Sequence, residues 1–168
     1  RGAAGLAGAQ AQPYRVWLEG WEVAEAAPGV YDLRASAGGV SLELRLTDEK
    51  GPILQGDAGY SRKGAEPGNA SYYYSLTRLA SAGTVEIDGQ RYEVAGDSWK
   101  DHEYGTSALG PEQAGWDWFA LQLDDGTELM VFQIRTLDGT PDPFSAGTFV
   151  AADSSTTALP AGDFEIAV

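Results

Sequence analysis

The sequence contains no cysteine. Disulfides, thiolate nucleophiles and cysteine-ligated zinc are therefore excluded. Histidine occurs once, as His102, so no multi-histidine metal site can form within the chain, and neither a metal nor a cofactor is expected. Apolar runs are short. None approaches the roughly 20 residues that cross a bilayer as a helix, so no integral membrane segment is expected. The small-residue opening from Arg1 to Gly8 lacks the continuous apolar core of a signal peptide. Basic residues are scarce: 11 Lys and Arg stand against 25 Asp and Glu, a net charge of −14. That balance disfavours nucleic acid and anionic membrane surfaces as partners. The acids are scattered rather than run together, which marks a solvated exterior.

What the chain has in quantity is turn residues and short alternating segments. Its 22 glycines and 8 prolines suit a β-rich protein, and 168 residues suffice for one domain with a full core. No segment has the period of an amphipathic helix. Residues 1–13 read as coil and residues 14–23 (YRVWLEGWEV) as one strand. Residues 30–35 and 39–47 alternate and predict a hairpin through Gly38 and Gly39. Residues 48–69 form a long irregular stretch, of a length usually functional or mobile. Residues 71–79 (SYYYSLTRL) are a strong strand, and Asp88-Gly89 is a hairpin turn between residues 83–87 and 91–94. Residues 98–105 break from alternation. Residues 115–123 and 128–135 predict another hairpin, and residues 144–151 and 163–168 are the last strand candidates. Roughly nine or ten short strands with turns between them predict an all-β barrel or sandwich.

The 115–135 hairpin carries a prediction about a ligand site. With Asp125-Gly126 as a two-residue turn, Trp118 faces Gln133 and Trp116 faces Arg135. Side chains alternate along a strand. One face then carries Trp116, Trp118, Ala120, Gln122, Leu129, Val131, Gln133 and Arg135, and the other is plain core with Phe119, Leu121, Met130, Phe132 and Ile134. Indoles beside amides and a guanidinium are the mixture a ligand cavity requires. The acidic pair Asp124-Asp125 superficially suggests calcium, but no ligand-spaced loop follows, and it reads as a turn.

Three stretches together resemble a known family: YYYSLTRL at residues 72–79, GTVEIDGQRYEVAGDSWKDHEYGTS at 83–107 and GWDWFALQLDDGTELMVFQIR at 115–135. They are similar to AttH-like and carotenoid 1,2-hydratase-like proteins, and the W-x-D-H-E-[YW]-G element followed by G-W-D-W-F is specific. The resemblance covers roughly residues 2–150. It implies a lipocalin-like antiparallel β-barrel, present here in part. Residues 1–160 would form most of a first barrel lacking N-terminal strands, and residues 161–168 would begin a second barrel, the partner of the first within a longer chain. It also implies an exported bacterial protein, periplasmic or secreted.

Asp101 is the leading catalytic candidate. Hydrating an unactivated alkene requires protonating carbon, and a carboxyl in an apolar pocket keeps its proton near neutral pH. The resemblance implies this role for Asp101; an aspartate at a strand end also ties down turns by hydrogen bonds. His102 and Tyr104 are candidates to manage water or a ligand oxygen, although a lone histidine is more often structural. Glu103 would pair with Arg135 or Arg78. Trp99, Trp116 and Trp118 would line the pocket and stabilise a developing cation through their ring faces, with Gln122, Gln133, Arg135, Tyr72 and Tyr74 as further substrate-binding residues. The reading is a hydratase or cyclase acting on a hydrophobic polyene-like or isoprenoid substrate, hence a lyase. The alternatives are a lipocalin-like carrier without catalysis, and a secreted hydrolase, for which no G-x-S-x-G elbow is present.

Overall fold

Strand-forming residues dominate the whole chain, and a computed structural model, which describes residues 4–105 and 109–166, places them in thirteen strands and no helix among those residues. They are β1 (Ala7–Gln10), β2 (Arg15–Leu18), β3 (Trp21–Ala27), β4 (Val30–Ala37), β5 (Val40–Asp48), β6 (Ile53–Leu54), β7 (Tyr60–Arg62), β8 (Ala70–Ile87), β9 (Gln90–Gly105), β10 (Gln113–Gln122), β11 (Glu128–Thr136), β12 (Ala146–Val150) and β13 (Thr156–Pro160). The all-β antiparallel class expected from the sequence holds. The chain divides into two compact units, Arg1–Glu49 with Arg78–Ser98, and Lys50–Thr77 with Trp99–Val168.

The first unit is a meander. β1 to β5 pair in sequence order, and β5 pairs with residues 79–87 of β8. The single strand expected over residues 14–23 is instead the β2–β3 hairpin, broken at Glu19, whose φ of 55° only a turn requires. Glutamate is no turn residue, so only Gly20 signalled the break. β1 lies in what read as coil. The β8–β9 turn is the expected one: Asp88 and Gly89 have φ of 51° and 83°, the paired positive values of a type I′ hairpin.

The second unit holds residues 70–77 of β8 with β6 and β7 paired to them, residues 99–105 of β9, and a sheet in the order β10-β11-β12-β13. Its core is Tyr73, Met130, Phe132 and Ile134, with Trp99, Phe144 and Ala146 packed against it. Residues 98–105 continue β9 without a break, contrary to the sequence reading. Residues 163–166 are not a strand, and residues 167–168 of that expected strand lie outside the described residues. Small, polar β13, missed in the sequence, is paired only to β12 and ends in Pro160, as a sheet edge allows.

The β10–β11 register differs from expectation by one residue. Trp118 pairs with Phe132 and Trp116 with Ile134. The loop is three residues, not two: Gly126 N–H donates to the Leu123 carbonyl (3.1 Å), Gly126 has φ of 78°, and the Asp125 carboxylate accepts from Thr127 N–H at 3.0 Å. A type I turn closed by a left-handed glycine is the standard three-residue hairpin. One residue of slip exchanges every partner across a sheet face. Trp116 and Trp118 therefore share their face with Phe132 and Ile134, while Gln133 and Arg135 stand on the opposite face.

Candidate functional site

On residues 70–77 of β8, Ser71, Tyr73 and Ser75 are buried and Tyr72 between them is exposed. The inward positions meet carboxylates from β9. Asp101 Oδ1 accepts from Ser75 Oγ (2.5 Å) and from Trp99 Nε1 (2.9 Å). Ser75 in turn accepts from Gln55 Nε2 (2.9 Å), whose side chain is wholly buried. Two residues further along β9, Glu103 Oε1 accepts from Ser71 Oγ (2.5 Å) and pairs with Lys63 Nζ (3.0 Å). Inward acids that find hydroxyl, indole and ammonium partners explain why residues 98–105 form a strand without apolar alternation.

A cavity of about 220 Å³ opens within this unit. Tyr73, Trp116, Trp118, Phe132 and Ile134 form its apolar wall, and Lys63, Ser71 and Glu103 are among its polar groups. Trp118 Nε1 donates to Tyr73 Oη (3.1 Å). Burial, followed by the charge of Asp101, pushes the Tyr73 phenol well above its ordinary range, so it stays neutral. Lys63 Nζ stands 3.7 Å from the centre of the Phe132 ring and 5.5 Å from that of Tyr73. Burial lowers the Lys63 pKa, and the Glu103 carboxylate partly offsets the shift. The cavity thus combines aromatic faces with one ammonium–carboxylate pair.

The structure sorts the sequence candidates into three groups. Trp116, Trp118 and Tyr104 border the cavity. Trp99 and Asp101 are joined to its wall: Trp99 packs on the same core as Tyr73 and donates to Asp101, which does not itself line the space. The rest lie elsewhere. Tyr74 stacks on His102 (5.2 Å between ring centres), His102 meets Tyr104 edge-on (5.3 Å), and Tyr104 stacks on Tyr72 (5.6 Å), a ladder that turns His102, Tyr72 and Tyr74 away from the inward acids. Arg135 binds both carboxylate oxygens of Asp117 at 2.6 Å, and Gln133 shares that opposite face. Gln122 donates to the Thr77 carbonyl (2.8 Å). Glu103 pairs with Lys63 rather than with Arg135 or Arg78; Arg78 pairs with Asp97. Lys63, Ser71 and Phe132 were missed as site residues. The only signal for Lys63 was its place in the long irregular segment. Among the described residues, no group of three or more His, Cys, Asp or Glu side chains converges to hold a metal ion.

Two solved structures are similar to this chain. One is an AttH protein from Nitrosomonas europaea, 36% identical with a TM-score of 0.80, matched over 87% of this chain and 45% of its own. The other, kievitone hydratase from Nectria haematococca, is 16% identical with a TM-score of 0.66, matched over 86% and 45%, and shows the shared fold alone. The chain thus spans about half the length of both, and the fold class is lipocalin-like. No curated protein matches it. The AttH-like family model matches residues 1–168, and the chain belongs to the AttH-like family.

Proposed function

We propose that the cavity is the active site of a lyase that hydrates, or cyclises, one end of an apolar polyene-like or isoprenoid substrate by acid catalysis. The observation that carries this reading is Asp101, held by Ser75 and Trp99 within electrostatic reach of Tyr73 on the wall of an aromatic cavity. Asp101 is the acid. Its proton passes through Tyr73 Oη to an alkene carbon, and the cation that forms on the neighbouring carbon faces the Trp116, Trp118 and Phe132 rings, whose negative quadrupoles stabilise it. Trp118 N–H fixes the phenol oxygen in place.

The volume bounds the substrate. An apolar cavity of roughly 150 Å³ takes benzene, whereas pockets for drug-sized ligands run to about 300–1,000 Å³. At about 220 Å³ this cavity admits an end group, with the remainder of a long molecule outside. Trp116 and Trp118 are still 56% and 42% exposed, which leaves an open side for it. The same openness favours the second reading, a carrier that binds the apolar end without turnover. In either case a second lipocalin-like barrel of a longer, exported chain is the expected partner.

The test uses the full-length protein and the apolar ligand extracted from it and identified by mass spectrometry. Asp101→Asn is expected to lower turnover by about 10²–10⁴-fold while retaining the ligand. Unchanged turnover removes Asp101 as the acid, and no turnover by the unaltered protein leaves the carrier reading.

A further inference from the structure

An acid alone does not complete a hydration: water must be held beside the cation and lose a proton. Neither His102 nor Tyr74, its stacking partner, belongs to the cavity wall. Glu103 and Lys63 do. Asp101 and Glu103 lie two positions apart on β9 and both face inward, which separates their backbones by about 6.4–6.8 Å. The two carboxyls are also differently held. Asp101 is partnered by neutral donors, Ser75 and Trp99. Glu103 has an ammonium at 3.0 Å.

Ser71 and Lys63 both reach Glu103 at Oε1. The Lys63 ammonium, with three N–H, stands 3.0 Å from that oxygen. The pair therefore presents an acceptor, Oε2, beside an ammonium donor. An acceptor next to a donor is the complement of a hydroxyl group or of water, not of a hydrocarbon and not of a carboxylate.

We propose that Glu103 is the base of the hydration and that Lys63 positions it, the two together holding first the attacking water and then the new hydroxyl of a tertiary alcohol. The proposal rests on the acid-catalysed reading of the cavity. The alkene π pair takes the Tyr73 phenol proton, forming C–H, while the phenol oxygen takes the proton of Asp101, whose O–H breaks. A water lone pair forms the C–O bond to the cation, and the water O–H breaks toward Glu103 Oε2. Asp101 is left as carboxylate and Glu103 as acid. Glu103, with its side chain 40% exposed, returns the proton to solvent, and Asp101 recovers one from solvent through Tyr73. The balance is alkene plus water to alcohol.

The test needs no knowledge of the native substrate. The full-length protein is titrated with 2-methylhex-2-ene and with 2-methylhexan-2-ol, an alkene end group and its hydration product, by ligand-observed NMR. Glu103→Gln and Lys63→Met are each expected to weaken alcohol binding by about 3–10-fold, the worth of one or two net hydrogen bonds, and to move alkene binding less than about 2-fold. Circular dichroism of both variants checks the fold, and either folded variant suffices. Alcohol affinity unchanged in the folded variants, equal loss for both probes, or no binding of either probe overturns the proposal. An unchanged alcohol affinity leaves the Asp101 reading untouched, because Asp101→Asn turnover tests that separately.

Discussion

Two lysines in the second unit show how similar chemistry serves different ends. Lys50 is 5% exposed and Glu128 is fully buried. Lys50 Nζ donates to Glu128 (2.6 Å) and to the carbonyls of Gly126 (2.6 Å) and Ala151 (2.9 Å). Removing the ammonium strands a buried carboxylate, so Lys50→Met is expected to cost about 3–5 kcal/mol in chemical denaturation. Lys63 differs, because its partner Glu103 is half-exposed and keeps Ser71 as a donor. Lys63→Met is expected to change stability by less than about 1 kcal/mol, since losing the cation–π contact is offset by removing a desolvated charge. The pH dependence follows from the direction of the shift. The folded pKa of Lys63 lies below the unfolded value of 10.5 because burial penalises the ammonium. Between those two values the unfolded chain binds more protons, so the Lys63 contribution rises with pH, and Lys63→Met removes that rise from the stability curve.

At the scale of elements, the β10–β11 hairpin decides which residues form the cavity wall. The aromatic–polar alternation of residues 115–135 was legible, and so was the hairpin. Its register was not, because Asp124-Asp125-Gly126 closes equally well as a two- or a three-residue loop on composition, and only the Asp125–Thr127 hydrogen bonds select the longer one. That one residue moved Gln133 and Arg135 off the wall and brought Phe132 and Ile134 onto it. Gly126→Ala tests the loop: a β-carbon at φ of 78° is expected to cost about 1–2 kcal/mol, read as a lower denaturation midpoint. β9 was hidden for a different reason. Sequence patterns recognise inward positions by apolarity, and Asp101 and Glu103 are inward and acidic, with Ser75, Ser71 and Lys63 as partners 26 to 40 residues away in the chain. Asp101 and the tryptophans were legible as a group; Lys63 was not, since nothing local distinguishes it from an exposed lysine in a loop.

For the whole molecule, the family and the all-β class were readable from three stretches between residues 72 and 135, and the solved relative from Nitrosomonas europaea bears both out. Both of these structures are about twice as long as the matched region, so the proposed activity is tested on the full-length protein. The net charge of −14 disfavours anionic surfaces as partners. The central claim is that carbon is protonated inside the aromatic cavity. It is tested most directly by incubating the full-length protein with its extracted ligand in D₂O and counting deuterium in the product by mass spectrometry. One non-exchangeable, carbon-bound deuterium per molecule of product is expected, next to the carbon that gained oxygen or closed the ring. A ligand recovered unchanged, or a product carrying no carbon-bound deuterium, contradicts it.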